Sequence, residues 1–277
     1  MATAKRIPIQ LAAKKAAPKP SASRALQPWE AEMAAQAKAA ATAERIQGLK
    51  TIGTRGGIMK IDGEVVKGNA LRCVVLGSVY ENQWFEGDFD PDRVRTPACY
   101  SFGDPDRANP EDGMAPHAQA RDKQSELCAN CHFNKMGTAE KGKGKACKNV
   151  RRLAVVTEDA LESADDLSTA EIRLMKVPVM STNNWAKYVH RLNEDMQRAP
   201  QHVVTEISLH PDDKSQFRVE FEFQELVSFD QKLYDAAKSK VAQAKQALLS
   251  PYPNMDDEEE KKPARGGKAA PAKRAKY

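Results

Sequence analysis

The stretch 71–85, LRCVVLGSVYENQWF, is long, rich in β-branched and aromatic residues, and carries a single glycine, Gly77. Such a composition suits a pleated, half-buried surface and reads as a strand. A glycine inside a strand marks a bulge or bend, and a closed barrel needs such bends. Upstream, GGIMKIDGEVV around residues 58–66 reads as a hairpin: two short apolar runs meet at Asp62-Gly63, the dipeptide that favours a type I′ turn. Downstream, residues 98–102 and 150–157 read as strands, and 171–177 alternates at period two. Ser181 or Thr182 is placed to cap a helix over 184–197, where Trp185, Tyr188, Val189, Leu192 and Met196 recur at helical spacing. Residues 202–209 and 216–227 read as a second hairpin around the turn His210-Pro211-Asp212-Asp213, and a last helix runs over 230–249. Six or seven strands with one internal helix and a C-terminal helix give a fold class that is mainly β with α. The expected architecture is an OB-like barrel.

The ends differ from this core. Residues 1–48 are Ala, Lys, Pro and Ser with few large apolar side chains and read as a flexible basic tail. Within them, 29–47 is Ala-rich and has the composition of a helix. Residues 251–277 read as a disordered tail, the acidic run Asp256–Glu260 followed by basic residues. The net charge is +5, but residues 51–255 hold 27 Lys/Arg against 30 Asp/Glu, so the basicity lies in the tails. Affinity for nucleic acid must therefore be argued from local patches. Mean hydropathy is −0.64, and no stretch approaches the roughly 20 apolar residues of a membrane helix. No apolar leader follows the N-terminal charges, so a secretory signal is not expected.

The core, 49–250, is interrupted by an insertion at 98–150 that is rich in Pro, Asp, Gly and Lys and poor in apolar residues. A structureless loop of that length in a compact domain needs something to tie it down. Cys99, Cys128, Cys131 and Cys147 bracket it with the spacing C-x28-C-x2-C-x15-C. Two thiolates two residues apart on a tight turn can share one ion, and the outer two lie at strand ends, so one structural Zn2+ would close the loop at its base. His117 is an alternative to one of the four. His132, adjacent to Cys131, is badly placed to point inward with it. Cys73 sits in an apolar strand and reads as a core thiol. Four sulfurs leave no open coordination position, so hydrolytic chemistry is not expected. Asp88, Asp90 and Asp92 resemble a cation loop but lack its Gly and distal Glu. With no site whose members can be given catalytic roles, the chain reads as a non-enzyme.

Seven basic residues, Lys135, Lys141, Lys143, Lys145, Lys148, Arg151 and Arg152, lie within 134–152 against the single acid Glu140. Gly137, Gly142 and Gly144 let a phosphate chain approach the backbone there. Trp84, Tyr100 and Phe133 lie close in sequence to the same segment. A basic track beside aromatic faces is how single strands are held, each stack worth ~1–3 kcal/mol. The plainer readings are that Phe85 and Phe102 are core, that Trp185 and Tyr188 pack a helix, and that the lysines form a solvated loop.

The segments WFEGDFDPD, PACYSFG, CANCHFNKMGT and GKGKACKNVRRLAVV, followed by LMKVPVMSTNNWAKYVHRL, VVTEISL and FRVEFEF, resemble the zinc-containing single-stranded DNA-binding proteins of tailed bacteriophages. The resemblance covers roughly residues 58–227. It implies an OB-like core with a zinc-stapled insertion, zinc on Cys99, Cys128, Cys131 and Cys147, and work in DNA replication or recombination in the cytoplasm of the bacterial host. Replication or recombination proteins would be partners through the tails. The basic C-terminal extension departs from the acidic terminus usual in strand-coating proteins. A zinc-ribbon transcription regulator binding RNA polymerase or duplex DNA is the alternative that shares the zinc site and the basic tails.

Overall fold

The computed structural model describes residues 50–87, 95–140, 142–213 and 215–252, together with Trp29, Glu32, Met33 and Gln36. The chain divides into two units, 1–47 and 48–277. In the first, the four described positions are helical, and Gln36 Nε2 donates to Glu32 Oε1 one turn away at 3.2 Å. The rest of the expected N-terminal helix and tail, and residues 253–277, lie outside the described residues.

The second unit is built on a mixed sheet curled into a half-barrel, with a few helices. Its strands are β1 (Thr51–Gly53), β2 (Lys60–Ile61), β3 (Glu64–Val65), β4 (Ala70–Trp84), β5 (Cys99–Phe102), β6 (Lys148–Thr157), β7 (Arg173–Val177), β8 (Val203–Asp212) and β9 (Gln216–Leu226). They lie in the order β3-β2-β1-β7-β6-β4-β8-β9, with β5 beside the far end of β4. Only the β1–β7 pair is parallel. Among the described residues of this unit the α-helices are α1 (Ala164–Thr169), α2 (Thr182–Met196) and α3 (Gln231–Leu248).

The sheet is covered on both faces, so its central strands are continuously apolar rather than alternating. Cys73, Val75, Leu153, Val155, Met175 and Val177 pack with Trp185, Tyr188 and Leu192 of α2. Their neighbours Val74, Leu76, Ala154, Val156 and Leu174 face the opposite way, against Leu167 of α1 and Leu233, Ala237, Ala244 and Leu248 of α3. Gly77 marks a bulge: the β4–β6 register shifts between Val75 and Gly77. The space where its side chain would stand is taken by Leu248, whose Cδ1 lies 3.2 Å from an added Cβ. Beyond the bulge the pleat changes parity, and Val79 joins the face covered by α3.

The Asp62-Gly63 turn forms as its sequence implies, both residues having positive φ (52° and 86°). The second hairpin turns later than expected. His210 and Pro211 remain in β8, paired with Arg218 and Phe217, and the chain reverses between Asp212 and Gln216. β4 pairs with β8 only as far as Ser208, so the missing N–H of Pro211 costs no ladder bond, and Asp212 Oδ2 accepts from both N–H and Oγ of Ser215. α2 starts at Thr182, but Ser181 does not cap it: Ser181 Oγ accepts from Val219 N–H of β9 at 2.9 Å. Asn184 Nδ2 donates to the Val219 carbonyl at 3.1 Å, so the start of α2 supplies β9 with the partners that a further strand would have given. Strand β1 and helix α1 were not expected. β1 is three residues long, and α1 carries only one buried large side chain, Leu167, so neither shows a period in sequence.

Candidate metal centre and nucleic-acid surface

Pairing places the cysteines. β4 is flanked at its end by β5 and β6, so that Gln83 lies opposite both Tyr100 and Lys148, and Trp84 lies opposite Cys99. Cys99 and Cys147, far apart in sequence, therefore stand on either side of the same strand end. The C-x2-C segment is a pair of tight turns: Cys131 N–H donates to the Cys128 carbonyl at 3.3 Å and Asn134 N–H to the Cys131 carbonyl at 3.1 Å. It is fastened to the insertion by Cys128 N–H on the Met114 carbonyl and to β6 by Cys147 N–H on the Phe133 carbonyl, both 2.8 Å.

All four thiols are free and buried, and all four line one cavity of about 20 Å³ with Ser101 and Trp84. That is room for one water-sized sphere. Cys128 Sγ lies 3.1 Å from Ser101 Oγ. Burial, reinforced by its neighbours Cys128, Cys131 and Cys99, pushes the Cys147 thiol up to about 12, and burial likewise raises Cys99. The Gln83 and Gln124 main-chain N–H groups, aimed at the Cys147 and Cys99 sulfurs, oppose those shifts. Among the described residues no group of three or more His, Cys, Asp or Glu stands ready-formed to hold a metal ion.

His117 is engaged elsewhere. Its ring stacks on Tyr100 (centroids 5.1 Å apart), and Nδ1 meets the Tyr100 hydroxyl at 3.1 Å and the Gln119 N–H at 3.2 Å. His132 is exposed, edge-on to Phe133. Cys73 is a core thiol, fully buried, with its pKa raised chiefly by desolvation.

The segment after the C-x2-C is compact. Gly137 N–H reaches the Gly144 carbonyl at 2.9 Å, and Thr138 Oγ1 donates to the Phe133 and Lys135 carbonyls while accepting from Ala146 N–H. Gly137 has φ 84° there, a conformation that glycine adopts without strain. Lys135, Lys143 and Lys148 are exposed. Lys145 is half-buried, with Nζ donating to Asn134 Oδ1 (3.1 Å) and Asn149 Oδ1 (2.8 Å), and it ties the lobe to β6. Trp84 and Phe133 are stacked on one another, centroids 4.8 Å apart at 21°. Arg151 lies over the Tyr80 ring, 2.9 Å from its centroid. Lys141, Asp88, Asp90 and Asp92 lie outside the described residues.

Two expected contact residues are interior. Tyr100 is 3% exposed, and Arg152 is 2% exposed and paired with the fully buried Glu81. Their sequence neighbourhoods are basic or aromatic, but the pleat turns both onto the face beneath α3, so neither is carried forward as a nucleic-acid contact. The same cluster contains polar groups that sequence reasoning missed: Glu81, Gln83 and Tyr252. A signal was present, three consecutive polar residues (Glu81, Asn82, Gln83) in a strand otherwise made of apolar and aromatic ones. No family model matches the chain, and no curated protein or solved structure matches it.

Proposed function

We propose that the chain is a non-catalytic binder of single-stranded DNA, built on an OB-like half-barrel whose insertion is stapled by one structural zinc ion. The observation that carries the reading is the convergence of all four insertion cysteines on one small cavity, lined also by Trp84, which stacks on Phe133.

The residues suit zinc by the chemistry of their donors. Four buried sulfurs with no disulfide among them repel one another as thiolates, and a divalent cation offsets both that repulsion and the desolvation. Cys99, Cys128, Cys131 and Cys147 would hold it, and the ion would supply cross-linking alone. The protein's own side chains do the binding. Lys135, Lys143 and Lys148 face phosphates, and the outer face of the Trp84–Phe133 stack takes a base. Arg151, braced on Tyr80, and Lys145 hold the flank. Sequence tolerance follows, because phosphates and ring faces carry no base code. A place in DNA replication or recombination in the host cytoplasm is part of the same proposal and rests on the resemblance of the sequence segments quoted above alone. Among the described residues no helix is long and apolar enough to cross a membrane.

The test is competition between oligo-dT and duplex DNA, with Phe133→Ala and Lys143→Gln as variants. The reading predicts preference for the single strand and about a tenfold loss with Phe133→Ala, the effect of one lost stack. Lys143→Gln should lower the slope of log affinity against log salt by about 0.7, the value for one phosphate contact on a single strand. A preference for duplex would favour the transcription-regulator alternative instead.

A further inference from the structure

We infer that Tyr252 is a positioning residue for the thiol cluster, fastening the chain that leaves α3 to the two strand ends that carry Cys99 and Cys147. The inference rests on the metal reading above and assigns a role to Tyr252, which no part of that reading uses.

The anchor is a buried ion pair. Glu81 of β4 is fully buried and Arg152 of β6 is 2% exposed. Arg152 Nε and Nη2 donate to the two carboxylate oxygens, each at 3.2 Å. The remaining nitrogen, Nη1, donates to the carbonyls of Leu248 (3.0 Å) and Ser250 (2.9 Å). Those carbonyls end α3 and have no partner within the helix, so one guanidinium answers both the carboxylate and the helix terminus. The segment after α3 is thereby held against the sheet, and it delivers Tyr252 to the end of β4.

From Tyr252 two short routes lead to the sulfurs. Its hydroxyl donates to Glu81 Oε1 and accepts from Gln83 Nε2 at 3.0 Å. The same Gln83 is paired in the sheet with Lys148, the residue that follows Cys147. On the other side, the Tyr252 and Tyr100 rings meet edge-on with centroids 4.9 Å apart. Tyr100 is the residue after Cys99 in β5. Lys176 of β7 closes the arrangement, its Nζ 4.6 Å from the Tyr252 ring centroid. Tyr252 thus fixes the side chain of Gln83 and the ring of Tyr100, and through them the strand ends from which Cys147 and Cys99 project.

Groups that orient metal ligands without touching the metal typically change metal affinity by about 10–100-fold when removed. The experiment is competition of the full chain with a chelating dye for zinc, on wild type, Tyr252→Phe, Tyr252→Ala and Leu192→Ala. Leu192 is a buried residue of α2, on the opposite face of the sheet, and its truncation lowers stability without touching the cluster. The expected result is about a tenfold weaker zinc affinity in Tyr252→Phe, which keeps the ring and the main chain, and a larger loss in Tyr252→Ala. Leu192→Ala should keep its affinity while its denaturation midpoint falls. Folded Tyr252 variants with wild-type affinity overturn the inference and leave the metal site standing. Equal losses in all variants, Leu192→Ala included, also overturn it, because the effect is then one of global stability. A wild-type chain that takes up no zinc sinks the metal reading and this inference together. If Tyr252→Ala does not fold, Tyr252→Phe decides.

Discussion

Arg152 and Glu81 show how much one buried pair can govern. Each is nearly solvent-free, and each satisfies more than the other: the carboxylate also takes the Tyr252 hydroxyl, and the guanidinium also takes two carbonyls. Removing one member leaves an uncompensated interior charge. Arg152→Met should therefore lower unfolding free energy by about 3–5 kcal/mol, measured by urea denaturation. The double variant Glu81→Gln/Arg152→Met should cost less than Arg152→Met alone, because no net charge is then stranded. His202 gives a pH dependence. Burial, with the charge of Arg198 second, holds its imidazole below the ordinary value of 6.5. The unfolded chain takes up a proton near 6.5 and the folded chain only below it. The His202 contribution is thus intact above 6.5 and is lost as pH falls through 6.5 toward the folded value. The drop in urea midpoint between about pH 7.5 and pH 5.5 should be smaller in His202→Gln than in wild type.

At the scale of elements, the sheet is shaped by how its strands end. Two glycines contrast. A Cβ at Gly77 meets only the flexible end of Leu248, whereas Gly57 has φ +72° and a Cβ there lies 3.3 Å from Phe217 Cβ. Gly57→Ala should cost roughly 1–2 kcal/mol and Gly77→Ala less, by the same denaturation measurement. Ser181→Ala strands the Val219 N–H of β9 and should cost about 1–3 kcal/mol, although no helix cap is lost. These details mark the limit of what the sequence tells. The strand at 70–84, its bulge at Gly77 and the Asp62-Gly63 turn were legible because side-chain period, a lone glycine and a φ-specific dipeptide are local signals. The exchange of Ser181 from cap to strand partner was not, because it depends on where β9 arrives from some 38 residues away. The Cys spacing was legible as a constellation. Tyr252 was not, since Pro251-Tyr252-Pro253 reads like the start of the tail and its partners Glu81 and Arg152 lie more than 90 positions earlier.

In the sheet unit, the buried ion pair lies on one face of the sheet and the thiols at a strand end. The side under α3 carries the buried ion pair, Tyr100 and Tyr252, and it is closed. The strand end beyond β4 carries the thiols, the ring stack and the lysine lobe, and it is open. The functional account needs the lobe to be held in place by the metal and the lobe to be what a single strand meets. The most direct measurement is an oligo-dT titration, followed by tryptophan fluorescence at several salt concentrations, of the zinc-loaded chain and of the same chain stripped of zinc. The account predicts saturable, salt-sensitive quenching when zinc is present and at least tenfold weaker binding once it is removed. Equal affinity in the two states, or no saturable quenching at micromolar protein, would contradict it.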